Sequence, residues 1–190
     1  MEIIHTLIED CYIIKPSIFS DTRGHFFESF NEREFNKLTG NTVNFVQDNQ
    51  SWSTYGVIRG LHFQEGEYAQ AKLVRVLRGT VLDVAVDLRE ESSTFGKHVA
   101  VKLSAENKLQ FFIPKGFAHG FAVLSEEAEF FYKCDNYYTK SSEDGIIYND
   151  FDLNINWELP EKDIIVSDKD RLLNSFSAYS MRYDEIRFVV

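Results

Sequence analysis

Cysteine is scarce in this chain: Cys11 and Cys134 are the only two among 190 residues. Two isolated thiols make neither a disulfide framework nor a zinc motif, so both read as reduced thiols. Proline is also rare, at Pro16, Pro114 and Pro160 only. No linker, low-complexity segment or internal repeat interrupts the chain, and one domain over residues 1–190 is the economical reading. Positive charge is short as well, with 20 Lys and Arg against 30 Asp and Glu and a formal net charge of -10. A polynucleotide-binding surface needs a basic stripe, and none is present. No apolar run is long enough to span a bilayer, which argues against a membrane partner. The opening residues Met1 to Thr6 carry no basic region, and Glu9 and Asp10 break the apolar run that follows. That start does not read as a signal peptide, and a cytoplasmic location is expected.

What the chain has in quantity is apolar and aromatic side chains: 44% hydrophobic, 15% aromatic, with 17 Phe and 9 Tyr. That content supports a sizeable core. Ala71 to Leu77 and Val81 to Leu88, separated by Arg78-Gly79-Thr80, predict a hairpin. In the second run Leu82, Val84, Val86 and Leu88 share one face, while Val81, Asp83, Ala85 and Asp87 share the other. His62 and Gln64 fall on one face of their strand and Leu61 and Phe63 on the opposite one. Tyr132 likewise opposes Phe131 and Lys133. Polar groups recurring inside hydrophobic strands point to the lined interior of a ligand-holding barrel. Helix is sparse. Asn31 to Leu38 is the best candidate, with Asn31 as N-cap and Glu34 three residues on, and Glu161 to Tyr179 leaves room for another short one. The fold class is therefore all-β, a barrel or sandwich.

Two blocks carry the chemistry. Arg59-Gly60-Leu61-His62-Phe63-Gln64 is followed by Lys72, and Pro114-Lys115-Gly116-Phe117-Ala118-His119-Gly120 comes later. The pair resembles the two blocks of a metal-binding cupin with the metal site dismantled. Gln64 stands where a second His would be, and Lys72 where a carboxylate would be. An ammonium group repels a divalent cation, so no metal is expected. The remaining imidazoles and cation suit proton transfer through an anionic intermediate. His62 alone would read as a core histidine, and Lys72 alone as a surface residue; their joint order with His119 and Tyr132 favours a site. Arg23 and Arg59, in segments beside glycine, suit a diphosphate, which takes bidentate contacts.

From Tyr12 to Asp170 the chain resembles the dTDP-4-dehydrorhamnose 3,5-epimerases. Seven blocks appear in the family's order: Phe19 to Glu28, Phe45 to Asn49, Arg59 to Gln64, Ala71 to Val76, Pro114 to Phe121, Tyr132 to Cys134 with Tyr138, and Ser167 to Asp170. The resemblance implies a cupin-like jelly-roll barrel and a cofactor-free isomerase. Its substrate would be dTDP-4-dehydro-6-deoxy-D-glucose, a dTDP-linked 4-keto-6-deoxysugar, epimerised at C3 and C5 to dTDP-4-dehydro-L-rhamnose. By the same resemblance His62 is the base, Tyr132 the acid, Lys72 the group at the keto oxygen and Asp170 the partner of His62. Arg23, Phe26, Glu28, Gln47, Asn49, Arg59, His119, Glu143 and Lys169 match substrate-binding positions, and Tyr138 the residue that stacks on thymine. A homodimer sharing a strand near the N-terminus is also implied. The tail from Arg171 to Val190 matches no pattern. The residues leave open an epimerase acting at one carbon only. Gln64 and Lys72 argue against a metal-dependent cupin, Gln64 and the Tyr132 block against a ketoisomerase, and the intact catalytic set against a non-catalytic sugar-nucleotide-binding cupin.

Overall fold

The structure, a computed structural model, describes residues 1–187, with side chains through residue 182; the last three residues of the tail lie outside the described residues. The N-terminal part holds β1 (Glu2–His5), β2 (Tyr12–Lys15), β3 (Ile18–Asp21), β4 (Gly24–Phe27) and helix α1 (Glu32–Thr39). The central part holds β5 (Gln47–Thr54), β6 (Ile58–Gln64), β7 (Lys72–Arg78), β8 (Thr80–Asp87) and β9 (His98–Ser104). Then come β10 (Gln110–Ile113), β11 (Phe117–Val123), β12 (Glu127–Cys134) and β13 (Glu143–Gly145), followed by α2 (Asp168–Arg171) and α3 (Phe176–Arg187).

Two antiparallel sheets face each other. One has the order β1-β2-β10-β7-β12-β5 and the other β13-β6-β11-β8-β9. From β5 to β12 the chain passes back and forth between them, so sequence neighbours lie in opposite sheets, except β8 and β9, which pair within one sheet. This is the jelly-roll expected from the sequence. It corrects one expectation: β7 and β8 do not form a hairpin. β7 pairs with β10 and β12, whereas β8 pairs with β11 and β9. Gly79 turns the corner between the sheets at φ +78°, and a Cβ there would stand 2.0 Å from the Glu127 carbonyl oxygen. A glycine at a sheet-to-sheet corner and one in a tight hairpin leave the same mark in sequence.

The alternation along each strand sets the layers. Val74, Val76, Phe111, Phe121 and Phe130 meet between the sheets. Leu82, Val84, Val86, Leu88, Leu61 and Phe63 project from the outer face of the five-stranded sheet. There they are covered by Trp157, Val166 and Tyr179. The segment that matched no sequence pattern thus supplies part of a second core, through Phe176 and Tyr179 of α3. On the outside of the other sheet, Tyr12, Ile14, Leu73 and Phe112 pack against Phe35 of α1. That helix begins where the sequence places it: the Asn31 side chain accepts the Glu34 backbone N–H, and Gly40 ends it in the left-handed conformation. Each fully buried Phe or Leu in these layers contributes about 1.5–3 kcal/mol. β3 and β4 form a separate two-stranded hairpin outside both sheets.

Candidate active site

A cleft of about 640 Å³ opens between the sheets, lined from one side by β6 and β11 and from the other by β5, β7 and β12. His62 and Gln64 reach it from β6 because they share the face opposite Leu61 and Phe63, which are buried in the outer core. Lys72 comes from β7, His119 from β11, and Tyr132 from β12, on the opposite sheet from His62. The cleft also takes Gln47, Asn49, Arg59, Tyr138, Glu143, Lys169 and Asp170. Eleven of the fourteen site residues expected from sequence therefore line one cleft. Arg23, Phe26 and Glu28 do not: they belong to β4 and its flanks, apart from the cleft of their own chain.

His62 is fixed by Asp170, whose Oδ1 lies 2.7 Å from Nε2. Asp170 is buried, a cost that raises a carboxyl pKa. Hydrogen bonds from His62, from the Gly60 backbone N–H and from the Ser167 side chain outweigh that cost and hold it below the ordinary carboxylate range. Ser167 caps α2, so this short turn is what presents Asp170 to the base from 108 residues away. Burial pulls the Lys72 ammonium below the ordinary lysine value, against the opposing influence of Cys134, Asp83 and Glu143. Burial also pushes the Tyr132 phenol up to about 12, so it stays protonated across the physiological range.

A second buried pair lies beside these groups. His119 Nε2 stands 3.0 Å from both carboxylate oxygens of Asp83. Burial lowers His119 and raises Asp83, and each opposes that shift in the other. The sequence gives Asp83 only as one acid on the small, partly acidic face of its strand; its tie to His119 comes from the pairing of β8 with β11. The signal for it was an acid at an inward position among Val81 and Ala85. Phe130 stacks on Phe121 at 4.2 Å and closes the apolar floor beneath Tyr132.

At the mouth, the Tyr138 hydroxyl donates to Glu143 Oε2 at 2.8 Å, and Lys169 Nζ donates to the same oxygen at 2.5 Å. Burial tends to raise Glu143, yet these two donors accompany a net lowering. Arg59 Nε donates to Ser53 Oγ at 3.1 Å, and its guanidinium faces the cleft. Among the described residues, no group of three or more His, Cys, Asp and Glu side chains is placed to hold a metal ion. No helix of the described chain is long and apolar enough to cross a membrane.

An imidazole held by a buried carboxylate, an ammonium, and a protonated phenol on the opposing sheet define a class: a jelly-roll isomerase that moves protons next to a carbonyl. Comparison with known proteins narrows it. The dTDP-4-dehydrorhamnose 3,5-epimerase family matches residues 5–178. A dTDP-4-dehydrorhamnose 3,5-epimerase of Shigella flexneri is 56% identical over 170 residues, covering 90% of this chain and 93% of its own. The crystal structure of the Elizabethkingia anophelis enzyme of that name superposes with a TM-score of 0.91 at 58% identity, covering 94% of this chain and 97% of that one. The 3,5-epimerase of Legionella pneumophila, solved in complex with dTDP-4-keto-L-rhamnose, gives a TM-score of 0.89 at 52% identity and covers 93% of each chain. The chain belongs to the dTDP-4-dehydrorhamnose 3,5-epimerase family.

Proposed function

We propose that this protein inverts C3 and C5 of dTDP-4-dehydro-6-deoxy-D-glucose, giving dTDP-4-dehydro-L-rhamnose, without a metal or cofactor. The observation that carries the reading is the placement of a carboxylate-held base and a protonated phenol on opposing sheets of one cleft, with a lysine between them in the chain order. Inversion next to a ketone needs a base on one face of the sugar, an acid on the other, and a cation at the enolate oxygen.

In this reading His62 donates its Nε2 proton to Asp170 and keeps Nδ1 as the base. It takes the proton from the carbon next to the keto group. Asp170 stabilises the imidazolium that forms. The Lys72 ammonium offsets the negative charge building on the C4 oxygen as the enolate forms. Tyr132 then delivers its hydroxyl proton to the opposite face; solvent takes the proton from His62 and returns one to Tyr132, and the same cycle at the second carbon completes the reaction. The His119–Asp83 pair sits where it can hold sugar oxygens near Lys72. Tyr138 offers its ring to the thymine, and Arg59 and Lys169 supply positive charge for the diphosphate.

The same reading makes the protein a homodimer. Arg23, Phe26 and Glu28 lie on or beside the hairpin of β3 and β4, which pairs with no other strand among the described residues. The hairpin leaves Phe19 and Phe26 about two-thirds exposed, at 66% and 71%. Large apolar side chains on an unpartnered ribbon fit a subunit contact. The hairpin would carry Arg23, Phe26 and Glu28 into the cleft of the partner.

Subunit mixing tests both halves of the proposal. His62→Ala and Arg23→Ala dimers are each expected to turn over the 4-keto sugar nucleotide poorly. After denaturation and joint refolding, half of the dimers are mixed, each with one intact cleft, so roughly a quarter of the parent activity returns. No recovery on mixing would contradict a shared site. A parent protein that leaves the substrate unchanged would contradict the reaction itself.

A further inference from the structure

The segment that carries Tyr138, residues 135–139, has no helix or strand of its own, yet it is tied down by three glutamines. Gln47 Oε1 accepts the Tyr138 backbone N–H at 3.1 Å. Gln64 Oε1 accepts the Thr139 N–H at 2.7 Å. Gln70 Nε2 donates to the Asn136 carbonyl at 2.8 Å. Gln47 belongs to one sheet and Gln64 to the other, so the segment is strapped across the cleft mouth between opposing walls. All three side chains line the cleft.

Gln64 shows what this strap costs. It is 7% exposed, and its Nε2 is buried without a hydrogen-bond partner. A backbone N–H can only donate, so the Gln64 oxygen must face Thr139 and the amide nitrogen is left over. Buried polar groups are paired almost without exception, and an apolar side chain of similar size would fill this place without an orphaned donor. The hydrogen bond this side chain makes is through its carbonyl, to the segment it holds. The Tyr138 ring is fixed at both ends: the backbone by Gln47 and Gln64, the hydroxyl by Glu143.

We infer that Gln64 is a positioning residue for the nucleotide: by anchoring Thr139 it pre-sets the Tyr138 ring as a rigid platform for the base of a nucleoside diphosphate. The inference rests on the reading above, in which Tyr138 faces the nucleotide. A platform set before binding spares the ligand the ordering of that loop, so its loss appears as weaker binding. It should not appear as slower chemistry at saturation, because Gln64 takes no part in proton transfer.

The test is a double-mutant cycle read by dTDP titration calorimetry on the purified full-length protein. Gln64→Met is expected to weaken dTDP binding about tenfold, equivalent to about 1.4 kcal/mol, while kcat at saturating substrate stays close to the parent value. In a Tyr138→Ala background the same change should cost no more than about twofold, because two residues acting through one contact are not additive. Gln64→Asn, too short to reach Thr139 but still polar, serves where the methionine variant folds poorly and should reproduce the loss. Full additivity in the cycle overturns the inference, as does parental affinity in both Gln64 variants, or a Tyr138→Ala variant that binds dTDP normally. Failure of the functional reading looks different: the parent protein itself then neither binds dTDP nor epimerises the sugar nucleotide.

Discussion

Replacing His62 by alanine is expected to lower kcat by at least about a thousandfold, within the range that a general base contributes. The fold should be spared. The His62 side chain is 29% exposed and lines the cleft instead of filling the core, so its removal leaves no enclosed cavity. dTDP binding should also persist, because in the proposed reading the nucleotide contacts come from Tyr138, Arg59 and Lys169 and not from His62. Asp170→Asn gives the graded companion. The amide still reaches Nε2, but the imidazolium loses its counter-charge, so the rate falls while the affinity for dTDP holds. Turnover by NMR and dTDP affinity by calorimetry, measured on the same samples, separate chemistry from binding. A His62→Ala enzyme that epimerises at near-parental rate would remove the base from the account.

Tyr132→Phe should uncouple the two halves of the reaction. Its phenol, pushed up to about 12 by burial, is a protonated donor at any working pH. Without the hydroxyl the acid is gone, but His62 and Lys72 remain. His62 can still form the enolate and return a solvent-derived proton to the face it came from. The expected variant has lost inversion, with kcat for product down by about 10²–10⁴-fold, yet still exchanges substrate hydrogen slowly with solvent. The aromatic ring keeps its volume against Phe130, so stability changes little. The measurement is deuterium incorporation alongside product configuration. Inversion of both centres at the parental rate would leave Tyr132 a wall of the barrel. Loss of exchange as complete as in His62→Ala would move its role to binding or enolate formation.

Much of this is legible in the sequence, for reasons tied to particular residues. A period of two puts His62 and Gln64 on one face and Leu61 and Phe63 on the other; in the structure His62 and Gln64 line the cleft while Leu61 and Phe63 pack in the outer core, Phe63 also reaching the cleft wall. Helix α1 was readable from Asn31, whose side chain needs only a local partner, the Glu34 N–H. What stayed hidden depends on long-range assembly. The corner at Gly79 resembles a hairpin until the partners of β7 and β8 are known. Asp83 has no local feature that names His119, 36 residues on, as its partner. The separation of Arg23, Phe26 and Glu28 from the cleft of their own chain is equally invisible in a linear motif. The described residues from Arg171 onward carry no motif because what they add, an apolar cover from Phe176 and Tyr179 and ties such as Arg182 to Asp144, can be supplied by many sequences.

The central claim is that one cleft, with one base and one acid, inverts two carbons through enolates. Incubation of the parent protein with dTDP-4-keto-6-deoxyglucose in deuterium oxide tests it most directly, with NMR locating the label and the configuration at each carbon. The account predicts a product inverted at both C3 and C5 and carrying solvent deuterium at both. Label and inversion at C3 alone would reduce the protein to a single-site epimerase, and substrate recovered without deuterium at either carbon would contradict the account.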